Sequence, residues 1–320
     1  MKILIDFGIL ICSGICIMQT AELLVNGAVE LSLIFRLSKV LIAATIVSIV
    51  TTTPEFIVSV SSSLLGHSGM AVGNAIGSCI CNIGLILAIG IIIKSIKINK
   101  EELAGKIFIL LASLMVVHLL GMNGTIGRNG ATLLFILLAL FMYYNYQTAL
   151  TQRKSIEREI IIEKGKYNVY QSFLKIFTGG FLTVLLARYG LVNPGINIAN
   201  FFGVPSILIG LTLIAVGTSL PELFTAIVSS RKGHGEIAVG NVIGANILNI
   251  LWVLGAAAMI RPISIDPQTL FFNIPVAIFF AVLLLLFGMK EGKFHRINGI
   301  ILLLFYVVYI FALFLVLYRG

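Results

Sequence analysis

Charge is scarce in this chain. Asp, Glu, Lys and Arg make up only 11% of it, against roughly 25% in soluble domains, and that excludes a soluble globular protein. Acid is scarcer than base: 13 Asp and Glu face 22 Lys and Arg, for a net charge of +9. In a soluble chain such an excess suggests a nucleic-acid partner. In an apolar chain it reads as basic loops that fix orientation and touch anionic lipid, with no nucleic acid expected. The four cysteines, Cys12, Cys16, Cys79 and Cys81, lie in apolar runs at spacings that fit no zinc or redox motif. They read as small buried side chains. No P-loop, nucleotide fingerprint, metalloprotease motif or catalytic triad occurs. No enzyme activity and no cofactor is therefore expected.

What is abundant is apolar sequence, 59% of residues with a mean hydropathy of +1.08. A spanning helix takes ~20 apolar residues, so a chain of this length holds about ten spans joined by short loops. The runs place spans near 7–34, 39–65, 69–93, 104–122, 129–150, 170–200, 206–230, 236–260, 268–289 and 297–318. Lys2 and the run after it mimic a signal peptide, but apolar character continues past Ala21 with no small-residue cleavage site. This reads as an uncleaved first span.

Positive charge tests the count. With the N-terminus outside, the inside loops collect Arg36, Lys39, Lys94, Lys97, Lys100, Lys106, Arg153, Lys154, Arg158, Lys164, Lys166, Arg231, Lys232, Lys290, Lys293 and Arg296. The outside ends and loops hold Lys2, Arg128, Arg261 and Arg319. The asymmetry predicts a multi-pass cell-membrane protein with both termini extracellular and the polar stretch 151–168 as a cytoplasmic linker.

The two halves repeat. Leu24-Val25-Asn26 matches Leu191-Val192-Asn193, Thr45 matches Thr212, Pro54-Glu55 matches Pro221-Glu222, and Gly66-His67 matches Gly233-His234, always 167 residues apart. Five crossings separate equivalent positions, so the second copy enters from the other side. The expected fold is an all-α polytopic membrane protein of two inverted five-helix repeats, 1–150 and 169–320. Inverted repeats are the usual basis of alternating-access transport.

Glu55 and Glu222 are the anomaly. A carboxylate at membrane depth is costly unless paired, and no basic residue lies near either motif in the predicted spans. Ser48, Thr51, Thr52, Glu55, Ser59 and Ser62 fall at steps of three or four, on one helix face, as do Ala215, Thr218, Ser219, Glu222, Thr225 and Ser229. Pro54 and Pro221 should break their helices and free nearby carbonyls, including those between Ser48 and Thr51. Irregular backbone persists at such depth only where it lines a protein cavity or binds something. Asn82 and Asn249 add amide oxygens, and Ser78 shares a face with Asn82. Together these make an all-oxygen set that suits a hard cation such as calcium. Single hydroxyls can instead simply bond the carbonyl a turn back. Gly73, Gly77, Gly240 and Gly244 form small-xxx-small patterns that let helices approach, expected to bring spans two and three, and seven and eight, together. A pairing of Glu22 with Arg188 across spans one and six is also open.

At these motifs the chain resembles the cation/calcium exchanger superfamily, closest to its prokaryotic sodium/calcium exchangers. Gly217-Thr218-Ser219-Leu220-Pro221-Glu222 matches the family pattern G-[ST]-[ST]-x-P-E in full, and Val50-Thr51-Thr52-Thr53-Pro54-Glu55 departs only at valine. Gly73 to Asn82 and Gly240 to Asn249 match G-N-x-x-G-[SA]-[CN]-x-x-[ND]. The resemblance implies ten helices, alpha motifs at 41–83 and 208–250, and calcium–sodium antiport by one chain acting as a monomer in the bilayer. It implies that Glu55, Glu222, Thr51 and Thr218 bind calcium. Sodium would use these with Ser48, Thr52, Ser78, Ala215 and Ser219, and Asn82 and Asn249 would sit at the centre. Spans one and six would slide as a gate. Two departures matter: Ala245 stands where the family pattern allows serine, and Asn249 where many members carry aspartate. Proton–calcium antiport through the same glutamates is the alternative. A cation channel fits less well, since one chain with an inverted repeat offers no symmetric ring of subunits.

Overall fold

The structure, a computed structural model, describes residues 2–156, 167–201 and 215–319. Most of the expected linker 151–168 and the first part of the expected span 206–230 lie outside the described residues. So does the side chain of Ala215.

The described helices follow the predicted spans closely. α1 is Lys2–Phe35. α2 (Lys39–Thr51) and α3 (Thr53–Leu64) are two pieces of one crossing, bent by 46°. α4 is Gly69–Ile93, α5 Lys100–Gly121 and α6 Arg128–Ile156. α7 (Val169–Leu186) runs through a π-helical turn into α8 (Asn193–Phe201). α9 (Ala215–Thr218) and α10 (Leu220–Arg231) repeat the break of α2 and α3. α11 is Gly235–Ile260, α12 Thr269–Glu291 and α13 Arg296–Arg319. Eight described helices are long and apolar enough to cross a membrane, nine with the bent pair α2–α3. The tenth expected crossing is the one that begins outside the described residues.

Prolines and polar caps set the boundaries. Pro54 and Pro221 sit in the first turn of α3 and α10, where a missing N–H costs nothing. The breaks come just before them, at Thr52 and Ser219. Asn99 caps α5 by accepting from Glu102 N at 3.0 Å, and Asn168 caps α7 by accepting from Tyr170 N at 2.9 Å.

Burial separates the central helices from the peripheral ones. In α4 and α11, 72% and 78% of the apolar window is enclosed by protein, against 17% in α6 and 11% in α13. The central core is β-branched and small, with Ile76, Ile80, Ile83, Val242, Ile243, Ile247 and Ile250 buried. Burying each such side chain contributes about 1.5–3 kcal/mol in water. In a bilayer, close packing takes over that role.

Equivalent contacts recur across the two repeats. Short strands β1 (Ile96–Lys97) and β4 (Lys293–Phe294) pair antiparallel at one end of the bundle. β2 (Thr125–Ile126) and β3 (Ile263–Ser264) pair the same way, with β3 at the position equivalent to β1. Gly66 and Gly233, both near φ +80°, close the turns after α3 and α10, a conformation that favours glycine. Arg261 reaches over the first and the equivalent Lys94 over the second.

Four expectations need correction. Cys12 and Cys16, expected to be buried, are exposed on α1, while Cys79 and Cys81 are buried. Lys106, assigned to a loop, is fully buried in α5. It donates to Asn145 Oδ1 at 3.0 Å and pairs with Glu102 at 3.7 Å, which satisfies the charge without a loop position. Glu22 pairs with Lys232 at 2.5 Å, not with Arg188, which lies over the Tyr189 ring. The glycines of α11 receive α2 of the other repeat: a Cβ at Gly240 or Gly244 would come within 2.5 Å of the Val40 or Ala44 carbonyl oxygen. The positions equivalent to Val40 and Ala44 lie outside the described residues.

Candidate ion-binding site

The two helix breaks place Glu55 and Glu222 in the first turns of α3 and α10. Helix N-termini carry partial positive charge and favour a carboxylate there. Thr51 and Thr218 end the preceding pieces, α2 and α9. Glu55 and Glu222 are both buried, along with Ser48, Thr51, Thr52, Ser78, Ser219, Asn82 and Asn249, and the two carboxylates lie close enough to repel one another. Among the described residues no ion pair involves either one. Nor is there any cluster of three His, Cys, Asp or Glu side chains. The charge of the site is therefore that of two carboxylates.

The Glu55 end is hydrogen-bonded. Ser219 Oγ donates to Glu55 Oε1 at 2.9 Å and lies 3.2 Å from Ser78 Oγ. Asn74 Nδ2 reaches the Glu55 carbonyl oxygen at 3.2 Å and Ser59 Oγ at 2.9 Å. Asn74 Oδ1 accepts from Thr218 Oγ1 at 3.4 Å.

The Glu222 end is bare. Thr51 and Thr52 stand close to its carboxylate. The Thr51 hydroxyl, however, donates to Asn241 Oδ1 at 3.1 Å, and neither carboxylate oxygen has a partner in hydrogen-bonding geometry. Glu55 Oε2, Thr52 Oγ1, Asn82 Oδ1 and both amide atoms of Asn249 are also buried without a partner. Buried polar groups are almost always satisfied. Unpartnered buried oxygens of this kind are the chemistry that a hard cation takes. Asn82 and Asn249 each open a π-helical turn, Asn82–Leu87 and Asn249–Val253, an irregularity frequent at functional sites.

Not every expected oxygen faces this group. Ser48 Oγ donates to the Thr45 carbonyl at 3.1 Å. The Ser48 carbonyl, expected to be free, accepts Thr52 N at 2.9 Å, because the break falls one residue later. Thr225 and Ser229 also bond carbonyls one turn back. Three residues were passed over as site residues: Asn74, Asn241 and Asn246. Asn246 accepts from Asn82 Nδ2 at 2.9 Å and donates to the Cys79 carbonyl at 3.0 Å, which fixes the Asn82 amide with its oxygen unpartnered. The signal for Asn74 and Asn241 was their place in the repeated glycine-asparagine motif.

Fold and sequence together point to the class: a helical membrane transporter, not an enzyme. The chain belongs to the sodium/calcium exchanger family, whose profile matches residues 5–147 and 172–315. It is 29% identical to the sodium/calcium exchanger MaX1 of Methanosarcina acetivorans over 98% of this chain and 99% of that one. It is 35% identical to the inner membrane protein YrbG of Escherichia coli over 82% of each chain. The solved structure of the sodium-calcium exchanger NCX_Mj soaked with zero Na+ and Ca2+ superposes with a TM-score of 0.83 at 28% identity, covering 97% of this chain and 99% of that one.

Proposed function

We propose that this protein exchanges calcium for sodium across the cell membrane, by alternating access to one central site. The observation that carries this reading is the group of buried, unpartnered oxygens of Glu55, Glu222, Thr52, Asn82 and Asn249. Calcium takes 6–8 oxygens at 2.3–2.6 Å, and its two charges match the two carboxylates. Glu55 and Glu222 would hold calcium with Thr51 and Thr218. Sodium would use these oxygens together with Ser48, Thr52, Ser78, Ala215 and Ser219. Asn82 and Asn249 would lie between the ion positions.

The gate would be α1 with α7 and α8. These helices pack tightly along one another: Thr20 Oγ1 and Thr183 Oγ1 are 2.7 Å apart, and Lys175 pairs with Glu30. A Cβ at Gly179 would come within 2.7 Å of the α1 backbone. Such a pair can slide as one body over the rest. The chain divides into repeats 1–150 and 169–320 about a cytoplasmic linker 151–168, with both termini outside and one chain as the working unit.

Calcium-45 uptake into proteoliposomes under an imposed sodium gradient tests this reading. Uptake should follow the sodium gradient in both directions and ignore a proton gradient. Uptake that follows protons and ignores sodium would replace sodium as the coupling ion.

A further inference from the structure

The β1–β4 end of the bundle holds a cavity of about 490 Å³ lined by Lys94, Lys97, Lys293, Arg296, Glu236 and Ser230, among others. Four basic side chains face one acid there. Lys97 and Lys293 are direct register partners across the two strands, and like charges directly opposite one another are destabilising. Neither forms an ion pair among the described residues. Ser230 is fully buried and lines the cavity, and its hydroxyl has no hydrogen-bond partner. The positive field also shows at the rim. His234 is held below the usual histidine range, first by burial and then by Lys39, with Lys232 and Lys94 adding to it and Glu236 opposing.

The internal repeat supplies a control. The equivalent cavity at the β2–β3 end is lined by Thr125, Ile126, Arg128, Asn129 and Pro262, among others. There the register partners are Thr125 and Ser264. Lys94 has a basic equivalent in Arg261, and both reach over the glycine turn that follows a helix. Lys94 and its basic equivalent are therefore features that the two ends share. Lys97 and Lys293 have no basic equivalents: theirs are Ser264 and Thr125, whereas Arg296 opens its helix as the equivalent Arg128 does. Arg296 spends one N–H on the Ile93 carbonyl at 3.2 Å. Among the described residues the two facing lysines form no ion pair and the buried hydroxyl no hydrogen bond.

We propose that this cavity binds the phosphate of an anionic membrane lipid, with Lys97 and Lys293 holding the charge and Ser230 donating from its floor. The assignment to lipid rests on the orientation proposed above, which puts this end at the cytoplasmic leaflet, where basic pockets between spanning helices meet anionic headgroups.

The test is the melting temperature of the purified full-length protein in neutral detergent, titrated with phosphatidylglycerol. The wild type should be stabilised by phosphatidylglycerol and not by phosphatidylcholine. In the double variant Lys97→Ser/Lys293→Thr, which copies the opposite strand pair, apparent lipid affinity should fall on the order of 20-fold, about fivefold per basic residue. Without lipid that variant should melt no lower than the wild type, since a repulsion has been removed. Lys97→Arg/Lys293→Arg should bind as the wild type does. Equal affinity in the Ser/Thr variant and the wild type would overturn the proposal. Equal stabilisation by inorganic phosphate would overturn the lipid assignment. Because the readout is lipid binding, it is independent of which ion the central site exchanges.

Discussion

The two ends of the central site are built from the same motif and are not equivalent. At the Glu55 end, Ser78, Ser219 and Asn74 form a continuous set of hydrogen bonds. At the Glu222 end the equivalents are Ala245, Thr52 and Asn241. Thr52 Oγ1, Asn241 Nδ2 and both Glu222 carboxylate oxygens are unpartnered. Two replacements account for this. Ala245 stands where the first repeat has Ser78, and Ala226 where it has Ser59, the acceptor for Asn74. An internal repeat thus keeps its carboxylates while two hydroxyls present in the first half are absent from the second.

The largest expected effects come from the carboxylates. Glu55→Gln and Glu222→Gln should each lower calcium exchange by more than about 100-fold, because stripping one partner from a buried charged site costs ~3–5 kcal/mol. The comparison predicts a difference in calcium-free protein. Glu222→Gln removes a charge that accepts no hydrogen bond, so it should raise the melting temperature more than Glu55→Gln, which also weakens the bond from Ser219. Equal shifts in the two variants would mean that the hydrogen bonds at Glu55 do not distinguish the ends.

Next in size are the two asparagines that tie the repeats together. Asn74 joins the Glu55 carbonyl, Ser59 and Thr218, whereas Asn241 holds only Thr51, with its amide nitrogen unpartnered. Asn74→Ala should lower stability by about 1–3 kcal/mol, the cost of orphaning buried polar groups. Asn241→Ala should cost less than half as much by the same denaturation assay. A larger loss for Asn241→Ala would reverse the ranking of the two ends.

Smaller again is the effect of restoring a hydroxyl. Ala245→Ser gives the Glu222 end the group that Ser78 supplies at the other, and Thr52 Oγ1 is there to receive it. One added hydrogen bond is worth ~0.5–1.5 kcal/mol, so apparent sodium affinity should rise roughly 2- to 10-fold. Calcium affinity should hardly change, because the carboxylates carry it. Sodium curves for calcium-45 uptake in the two proteins decide this, and coincident curves would place Ala245 away from any sodium position.

Much of this was legible in the sequence because membrane helices write long signals. The spans, the breaks at Pro54 and Pro221 and the non-equivalence introduced by Ala245 follow from composition, proline chemistry and the 167-residue register. The contacts across repeats do not. Thr51 meets Asn241 only because α11 crosses α2, and no helical period links residues 190 positions apart. Glu22 finds Lys232 rather than Arg188 for the same reason. Lys106 misled because a lysine near a span end resembles a loop charge, and only the nearby Asn145 and Glu102 make its burial possible. The Ser48 carbonyl misled because a proline fixes that a helix breaks, while the residue at which it breaks depends on packing.

The smallest effect sharpens the comparison away from the ions. Ser63 and Ser230 occupy equivalent positions near the ends of α3 and α10, and both are buried. Ser63 Oγ donates to the Ala257 carbonyl at 2.7 Å. Its equivalent, Ser230, stands beside Gly90 and makes no bond. A made hydrogen bond contributes about 1 kcal/mol, and an unmade one leaves its hydroxyl desolvated at a cost of ~1–3 kcal/mol. Ser63→Ala should therefore lower stability by about 1 kcal/mol, while Ser230→Ala should leave it unchanged or raise it, both measured by denaturation in neutral detergent. A hydroxyl kept at a position where it does nothing for the fold is then free for a ligand, so anionic lipid should separate the pair. Phosphatidylglycerol should stabilise Ser63→Ala as it does the wild type, and Ser230→Ala less. If Ser230→Ala destabilises as much as Ser63→Ala in the lipid-free protein, the Ser230 hydroxyl belongs to the fold and the two repeats are equivalent at this position.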